Sequence, residues 1–376
     1  MSAMTDRDRA ERVAFLDVGA GYHELRASLD GAWRRVMEGG RYILGDELGA
    51  FESEWARYAG ARHAVGVASG LDALTLTLRA LGIGPGDEVL VPSNTFIATW
   101  LAVSRVGATP VPVEPDPATH LVSADAMRAA IGPRTAALLP VHLYGRPVDV
   151  VAMEKVAADA GLALVFDACQ AHGARVGGRP VGAFGQASAW SFYPGKNLGA
   201  YGDGGAVTTN DEALAVRIRR LRNYGSERKH EHPERGENSR LDELQAALLR
   251  VKLASLDAWN ERRAGHARHY DRALRGLGLG LPVRDEALQS AWHLYVVQCD
   301  ARDTLRQALA ERGVETLVHY PVPPHVQPAY ADLGLAPDAL PIARSLAERV
   351  LSLPCGPHLA EHERERVIDA LTELLV

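Results

Sequence analysis

The chain has 376 residues, of which 47% are hydrophobic, and it carries a formal net charge of −6 at pH 7. This length and composition are typical of a globular protein with a large buried core, so the disordered and fibrous classes are excluded. Lysine and arginine are spread along the chain and form no basic cluster, so we expect no nucleic-acid partner.

The sequence carries no recognisable targeting or metal-binding signal. The first twelve residues, MSAMTDRDRAER, are charged, and no run of about 18 apolar residues follows them. We therefore expect a cytoplasmic protein that makes no contact with a membrane. The cysteines Cys169, Cys299 and Cys355 stand far apart and lack the spacing of metal ligands, so we expect no metal site.

Short apolar segments alternate with longer helical patterns in the first half of the chain. This alternation is typical of βαβ units, and it predicts an α/β fold in which helices cover a mostly parallel sheet. In chain order the segments are HAVGVAS, LDALTLTLRALGIG, DEVLVPS, NTFIATWLAVSRVG, AALLPVHLYG, DVVAMEKVAADAG and LALVFDA.

A long helical pattern, roughly residues 239 to 274, leads into a C-terminal part with strand candidates of its own, WHLYVVQC and VETLVHYPV. We therefore predict two domains. Residues 1–261 form a large α/β domain, and residues 262–376 form a smaller α+β domain.

The segment VASGLDAL, residues 67 to 74, ends a predicted strand and begins a helix at once. The free N–H groups and the positive dipole end of such a helix favour a phosphate, and glycine permits a close backbone approach. The same pattern also fits a plain turn capped by Ser69 or Asp72. A nucleotide-binding P-loop is excluded, because FYPGKN lacks the first glycine and the final Ser or Thr of that motif.

Two charged residues follow other predicted strands. Asp167 ends the strand in LALVFDACQAHGA, where open α/β sheets bind ligands, and an isolated carboxylate there needs a cationic partner or a helix to cap. Lys196 follows the aromatic segment WSFYPG, so it is either a solvated turn residue or a buried lysine with a lowered pKa and a nucleophilic amine.

Together the three segments describe one ligand, which has a phosphate for the helix, a basic ring nitrogen for Asp167 and a carbonyl for Lys196. Pyridoxal 5′-phosphate has all three groups, and its enzymes use a lysine and an acidic partner in these roles. We therefore predict that the protein binds pyridoxal phosphate.

The ordered segments SGLDAL, PSNTFIATW, FDACQAHGA, WSFYPGKNLGAYGDGGAV and NSRLDELQAALL resemble the DegT/DnrJ/EryC1/StrS family of nucleotide-sugar aminotransferases. The resemblance covers about residues 13 to 374. It implies the aspartate aminotransferase fold, which is fold type I of the pyridoxal-phosphate enzymes, and a homodimer with shared active sites.

The resemblance also implies a role for individual residues. Lys196 and Asp167 are expected to be catalytic, as the lysine that binds the cofactor aldehyde and the partner of the ring nitrogen. In this family a hydroxyl often follows Gly70, but this chain has Leu71, so only the backbone N–H is carried over there. The expected cofactor-binding residues are Gly70, Leu71, Phe96, Asp167, Gln170, Ser191, Lys196 and, for the neighbouring subunit, Asn238.

By resemblance, the reaction is transamination from L-glutamate to a nucleotide-linked, dTDP-type 3-keto-6-deoxyhexose in deoxysugar and antibiotic biosynthesis, with pyridoxamine phosphate as the intermediate form of the cofactor. Amination of a 4-keto sugar is the alternative, and a non-catalytic scaffold or regulator is the alternative of another class. Related dehydratases have histidine where this chain has Lys196. The expected substrate-binding residues are Arg228, Lys229, His230, His319, Tyr320 and His325, although a solvated charged loop would explain the first three equally well.

Overall fold

The computed structural model describes residues 12–376, so the charged segment from which we expect a cytoplasmic protein lies almost wholly outside the described residues. The helices are α1 (Ala20–Gly39), α2 (Asp46–Ala59), α3 (Gly70–Ala80), α4 (Ile97–Arg105), α5 (Ala124–Ala129), α6 (Val150–Ala160), α7 (Glu212–Leu221), α8 (Glu243–Leu253), α9 (Leu256–Ala273), α10 (Arg302–Glu311), α11 (Pro341–Arg349) and α12 (Glu361–Leu375). The strands are β1 (His63–Val67), β2 (Glu88–Pro92), β3 (Thr109–Val113), β4 (Thr135–Leu138), β5 (Ala163–Asp167), β6 (Arg175–Val176), β7 (Arg179–Pro180), β8 (Ala187–Ser191), β9 (Gly205–Thr209), β10 (Leu288–Gln289), β11 (Tyr295–Gln298) and β12 (Val350–Leu353).

A seven-stranded sheet in the order β1-β9-β8-β5-β4-β2-β3 forms the centre of the molecule. Neighbouring strands from β8 to β3 are parallel, and β9 is antiparallel to both of its neighbours, β1 and β8. The predicted mostly parallel α/β architecture is therefore confirmed. The middle residues of β2 and β5 are buried, as expected for strands covered by helices on both faces.

This strand order determines where a site can form. Because β9 is reversed relative to both neighbours, β1 runs in the same direction as β8, β5 and β2. The carboxyl ends of these four strands therefore meet at one edge of the sheet, where open α/β sheets bind their ligands. Ser69, Thr95, Asp167 and Ser191 lie at or just after these ends.

The C-terminal part packs around a second, two-stranded sheet in which β11 pairs antiparallel with β12. Tyr270 of α9 and Leu309 of α10 belong to its apolar core, which also includes Val13 from the start of the described chain. The predicted boundary at residue 261/262 falls inside α9, and this division into domains stays a prediction.

The long helical pattern at residues 239 to 274 forms two helices, α8 and α9, which are separated at Ala254 and Ser255. The Ser255 N–H group donates to the Lys252 carbonyl at 3.0 Å, and the Ser255 carbonyl accepts the first intrahelical bond of α9, from Trp259 N–H. The Ser255 side chain makes no cap hydrogen bond, so the start of α9 lacks the contact that an N-cap serine usually provides. In place of a strand, the segment VETLVHYPV makes two isolated bridges, from Val314 to Val13 and from Leu317 to Ser352.

In residues 12–376 every helix is too short or too polar to cross a bilayer.

Candidate active site

A cavity of about 780 Å³ opens at the carboxyl edge of the central sheet, beneath the C-terminal part. It brings together segments that are far apart in sequence but follow neighbouring strands. Nine of the residues singled out from the sequence line it: Gly70, Leu71, Phe96, Asp167, Gln170, Ser191, Lys196, His319 and Tyr320.

One end of the cavity is formed by the start of α3. The Ser69 hydroxyl caps the helix by accepting the Asp72 N–H group at 3.1 Å, which leaves the N–H groups of Gly70 and Leu71 without an intrahelical partner. The Ser191 hydroxyl accepts the Tyr193 N–H group at 3.3 Å and keeps its own hydrogen to donate. The cap and the anion site, which were alternatives in the sequence, therefore coexist at this helix.

Residue 70 must be a glycine, because the space around it leaves no room for a side chain. A Cβ atom at this position would lie 2.6 Å from Cβ of Ser191 and 2.9 Å from Sγ of Cys169, closer than such atoms approach in proteins. The helix start can therefore approach the end of β8 only because residue 70 has no side chain, and this approach creates a narrow cradle of N–H and O–H donors.

We expect Gly70→Ala to weaken pyridoxal phosphate binding by about 10-fold to 100-fold, because the added methyl group must displace Ser191 from the cradle. Titration of the cofactor-free protein with pyridoxal phosphate measures this change. Gly31→Ala, where a Cβ atom meets nothing within 4 Å, is the matched control. Equal affinity in the two variants would contradict the assignment of the cradle.

Asp167 ends β5 and is 6% exposed. Its Oδ2 atom accepts the Thr99 hydroxyl at 2.9 Å, and its Oδ1 atom accepts the Cys169 N–H group at 3.1 Å. Both partners are uncharged, so the hydrogen bonds orient the carboxylate without neutralising it. A buried carboxylate in this state favours a cation, such as a protonated ring nitrogen, in the adjoining cavity.

Lys196 lies in the connection between β8 and β9, where its N–H group closes a turn onto the Tyr193 carbonyl at 2.8 Å. Burial lowers the pKa of its ammonium group, and the negative charge of Asp167 opposes this shift only in part. The neutral amine is therefore more accessible near neutral pH than it is in a solvated lysine, as nucleophilic and base chemistry requires.

Gln170 is held by both ends of its amide. Oε1 accepts the Tyr144 N–H group at 2.7 Å, and Nε2 donates to the Tyr320 hydroxyl at 3.1 Å. The Tyr320 ring in turn lies 5.2 Å from the Phe96 ring. Phe96 is 51% exposed toward the cavity and is not an ordinary core residue, so its face is available to stack on a ring.

The other predicted substrate and cofactor residues lie outside this cavity. Asn238 is exposed and pairs through its backbone with Asn223. His325 is buried in a short 3₁₀ helix, with Nε2 3.3 Å from the Pro337 carbonyl. Arg228, Lys229 and His230 are exposed in the loop that ends at Asn238.

Sequence reasoning missed residues that the C-terminal part contributes to the cavity. His293 and Arg263 both line it. The Nδ1 atom of His293 lies 3.1 Å from Oδ1 of Asn197, whose own amide group donates to Asn260 and to the Ala291 carbonyl. Since that amide must accept from the imidazole, the Nε2 atom of His293 is an acceptor. No local motif marks these residues.

Arg263 is 3% exposed and donates to the carbonyl groups of Trp292, His293 and Cys355. Burial lowers the pKa of its guanidinium group to about 10. The group is still a cation at neutral pH, so it adds positive charge to the wall of the cavity.

His172, which lies just beyond the end of β5, is completely buried and packs against the rings of Trp55, Trp190 and Phe192. His142 is equally buried and stacks on Phe166 with ring centroids 4.9 Å apart. Burial is the main cause that lowers the pKa of each imidazole to about 3. Both side chains are therefore neutral in the folded protein.

These histidines predict acid sensitivity. In the unfolded chain each imidazole titrates near pH 6.5, so below that pH the unfolded state binds protons that the folded state refuses. The contribution of each neutral histidine to the free energy of unfolding is therefore fully present above about pH 6.5 and is lost as the pH falls toward 3. We expect each histidine to reduce the free energy of unfolding by about 2 kcal/mol between pH 7 and pH 5.

Thermal unfolding at pH 7 and at pH 5 measures this effect. His172→Phe removes one of the titrating groups from a cluster of aromatic rings, so its melting temperature is expected to fall less over this pH interval than that of the unchanged protein. The exposed His362→Phe is the control. An identical pH dependence in the unchanged protein and in His172→Phe would contradict the prediction.

The residues of the cavity fit pyridoxal phosphate. The cradle at Gly70 can hold an anion, Asp167 lacks a cationic partner in its two hydrogen bonds, and the half-buried Lys196 has a lowered pKa. These are the complements of a phosphate, a ring nitrogen and an aldehyde. The fold and the site together define the class of pyridoxal-phosphate-dependent aminotransferases.

The chain belongs to the DegT/DnrJ/EryC1/StrS aminotransferase family, whose model matches residues 24–372. The predicted family, enzyme class and cofactor are thereby confirmed. The chain is 56% identical over 371 residues to dTDP-3-amino-3,4,6-trideoxy-alpha-D-glucose transaminase of Streptomyces venezuelae, and the alignment covers 98% of each chain.

Two solved structures are similar along most of their length. The structure of S. venezuelae DesV in complex with a ketimine intermediate is 56% identical, with a TM-score of 0.96 and coverage of 97% of this chain and 98% of the other. The structure of NtdA from Bacillus subtilis with bound cofactor PMP is 31% identical, with a TM-score of 0.91 and coverage of 97% and 85%.

Proposed function

We propose that the protein transfers an amino group from L-glutamate to C3 of a dTDP-linked 3-keto-6-deoxyhexose, in the biosynthesis of a deoxysugar. The observation that carries this proposal is the convergence of Lys196, Asp167 and the Gly70 cradle on one cavity. The choice of substrate is supported by the 56% identity to a transaminase that is named for a 3-amino dTDP-sugar.

The proposed roles follow from position and charge. The N–H groups of Gly70 and Leu71 and the hydroxyl of Ser191 bind the cofactor phosphate, and Phe96 covers one face of the ring. Asp167 pairs with the ring nitrogen and keeps it protonated. The bound cofactor supplies an electron sink for the carbanion that forms when a proton leaves the substrate carbon. Lys196 would hold the cofactor aldehyde, and its neutral amine would move that proton.

The second substrate, which is the keto sugar, must reach the same cavity after the amino donor has left. His319, Tyr320 and His293 line the side of the cavity that the C-terminal part contributes. Burial lowers the pKa of His319 to about 4, so its imidazole is neutral and offers hydrogen bonds to sugar hydroxyl groups. The cationic Arg263 in the wall is compatible with anionic substrates, including the dicarboxylate L-glutamate.

We further propose that the active unit is a homodimer. Asn238 and the charged residues Arg228, Lys229 and His230 are exposed on one loop, do not line the cavity of their own subunit and are available to a neighbouring one. Large apolar side chains are also exposed on α1 and in connections between elements, which favours burial against a partner. They include Trp33, Tyr42, Ile43, Tyr193, Tyr201 and Tyr224.

A two-step assay tests the proposal. The purified protein with pyridoxal phosphate should lose its visible absorption band when L-glutamate is added, which reports the first half-reaction. A panel of dTDP-linked 3-keto and 4-keto 6-deoxyhexoses at matched concentration should then restore the band with the 3-keto sugar. Turnover of the 4-keto sugar alone would refute the proposed position of amination, and the absence of any band would refute the proposed enzyme.

A further inference from the structure

Two threonines at the start of α4 have no role in the function proposed so far, although they touch its acidic group. Thr99 is 1% exposed and Thr95 is 2% exposed. Thr99 donates from Oγ1 to Oδ2 of Asp167 at 2.9 Å, and the Oγ1 atoms of Thr95 and Thr99 are 3.0 Å apart.

The direction of the hydrogen bonds follows from counting protons. A hydroxyl group has one hydrogen, and that of Thr99 is used toward the carboxylate. The contact between the two threonines can therefore be a hydrogen bond only if Thr95 donates and Thr99 accepts. The chain Thr95 to Thr99 to Asp167 thus runs in one direction and ends on a carboxylate oxygen, where hydrogen bonds are stronger than between neutral groups.

The buried threonines of α3 behave differently. Thr75 and Thr77 on α3 donate to the carbonyl groups of Leu71 and Ala73, four residues earlier in their own helix, at 2.9 and 2.7 Å. This local bond is the usual way in which a helical threonine satisfies its hydroxyl. Thr99 instead donates across to β5, so its hydroxyl serves a contact between elements.

The position of these threonines at the helix start explains the geometry. Thr95 follows β2 and precedes α4, which begins at Ile97, and Thr99 lies in the first turn of that helix, so the two hydroxyl groups meet at the helix start. The end of β2 and the end of β5 lie on the same edge of the sheet. The hydrogen-bonded series Thr95, Thr99 and Asp167, which we call the relay, therefore links the carboxyl ends of two strands.

We propose that Thr99 is a positioning residue that fixes the orientation of the Asp167 carboxylate toward the cofactor ring nitrogen, and that Thr95 fixes Thr99. The Cys169 N–H group holds Oδ1 and the Thr99 hydroxyl holds Oδ2, so neither oxygen can rotate away without losing a hydrogen bond. This inference rests on the proposed pairing of Asp167 with the ring nitrogen.

Thr99→Val tests the proposal, because valine keeps the branched shape and removes the hydroxyl. We expect the dissociation constant of pyridoxal phosphate to rise about 10-fold, the size of effect that one charge-assisted hydrogen bond supports. With pyridoxal phosphate labelled with ¹⁵N in the ring, the nitrogen resonance should also move toward that of the unprotonated ring, a change that a packing defect would not produce.

Three further variants make the result specific. Thr99→Ser retains the hydroxyl and should restore both the affinity and the ¹⁵N resonance, whereas Thr95→Val should shift both in the same direction by less than Thr99→Val. Thr77→Val removes a hydroxyl that is equally buried but lies outside the relay, and it should change neither. Thermal unfolding of the cofactor-free proteins identifies a variant that fails to fold. If Thr99→Val fails to fold, the result with Thr95→Val tests the proposal by itself, because that variant leaves Thr99 in place.

Asp167→Asn in the same measurements separates this inference from the proposed function. If Asp167→Asn disturbs the ring nitrogen and the threonine variants that fold do not, the relay is overturned and the role of Asp167 stands. If Asp167→Asn leaves both the affinity and the resonance unchanged, the proposed role of Asp167 fails, and the relay that depends on it fails too.

Discussion

Lys196→Ala is expected to lower transamination by about 10⁴-fold, because one substitution removes both the group that binds the cofactor aldehyde and the base that moves the substrate proton. The cradle at Gly70 and the Asp167 carboxylate are unchanged, so the variant should still bind pyridoxal phosphate through its phosphate and ring. The visible spectrum of the variant, before and after L-glutamate, measures the first effect, and steady-state turnover measures the second.

Lys155→Ala is the matched control, because Lys155 is an exposed lysine on α6 whose partner is Asp159, far from the cavity. It should retain the spectrum and the turnover of the unchanged protein. If Lys196→Ala kept the glutamate-dependent spectral change at the normal rate, another residue would have to act as the base, and the proposed mechanism would be wrong.

Asp167→Asn is expected to lower transamination by roughly 10³-fold, a magnitude typical of a lost electrostatic group at a site of developing charge. Asparagine is similar in shape, and its one amide oxygen can still accept the Cys169 N–H group while its amino group donates to the Thr99 hydroxyl, which rotates to accept. It carries no negative charge, so it cannot keep the ring nitrogen protonated, and the carbanion loses its electron sink.

Single-turnover kinetics with L-glutamate isolate this defect from changes in binding. We expect the rate of proton transfer to fall while the amount of bound cofactor falls far less. Asp149→Asn, which alters only the cap of α6, is the control for the loss of a carboxylate elsewhere. A variant that lost its cofactor but reacted at the normal rate when saturated would show that Asp167 acts in binding alone.

The parts of the site that the sequence indicates are those that follow strands directly. Ser69, Gly70 and Asp167 each come at the end of an apolar strand, and parallel strands bring such ends together. The family resemblance added Phe96, Gln170, Ser191 and Tyr320, which also line the cavity. The alternation of strand and helix patterns was sufficient to predict the α/β class, because each pattern is a strong local signal.

The remaining parts depend on tertiary packing, which no local pattern records. His293 and Arg263 reach the cavity from the C-terminal part, where neither residue stands in a motif. The bond from Thr99 to Asp167 joins residues 68 positions apart, and the threonine pattern alone resembles ordinary helical threonines. The break between α8 and α9 was missed because both helices share one apolar periodicity.

The reversed direction of β9 has a consequence for how the enzyme can diversify. Lys196 lies on the connection between the adjacent strands β8 and β9, and β8 also pairs with β5, which ends in Asp167. The groups proposed to perform the chemistry are thus mounted on one continuous hydrogen-bonded sheet. The C-terminal part, which packs around the sheet of β11 and β12, contributes His319, Tyr320 and His293 to the cavity. Substitutions in the C-terminal part can therefore change the preference for a sugar, while the residues proposed to perform the chemistry stay the same.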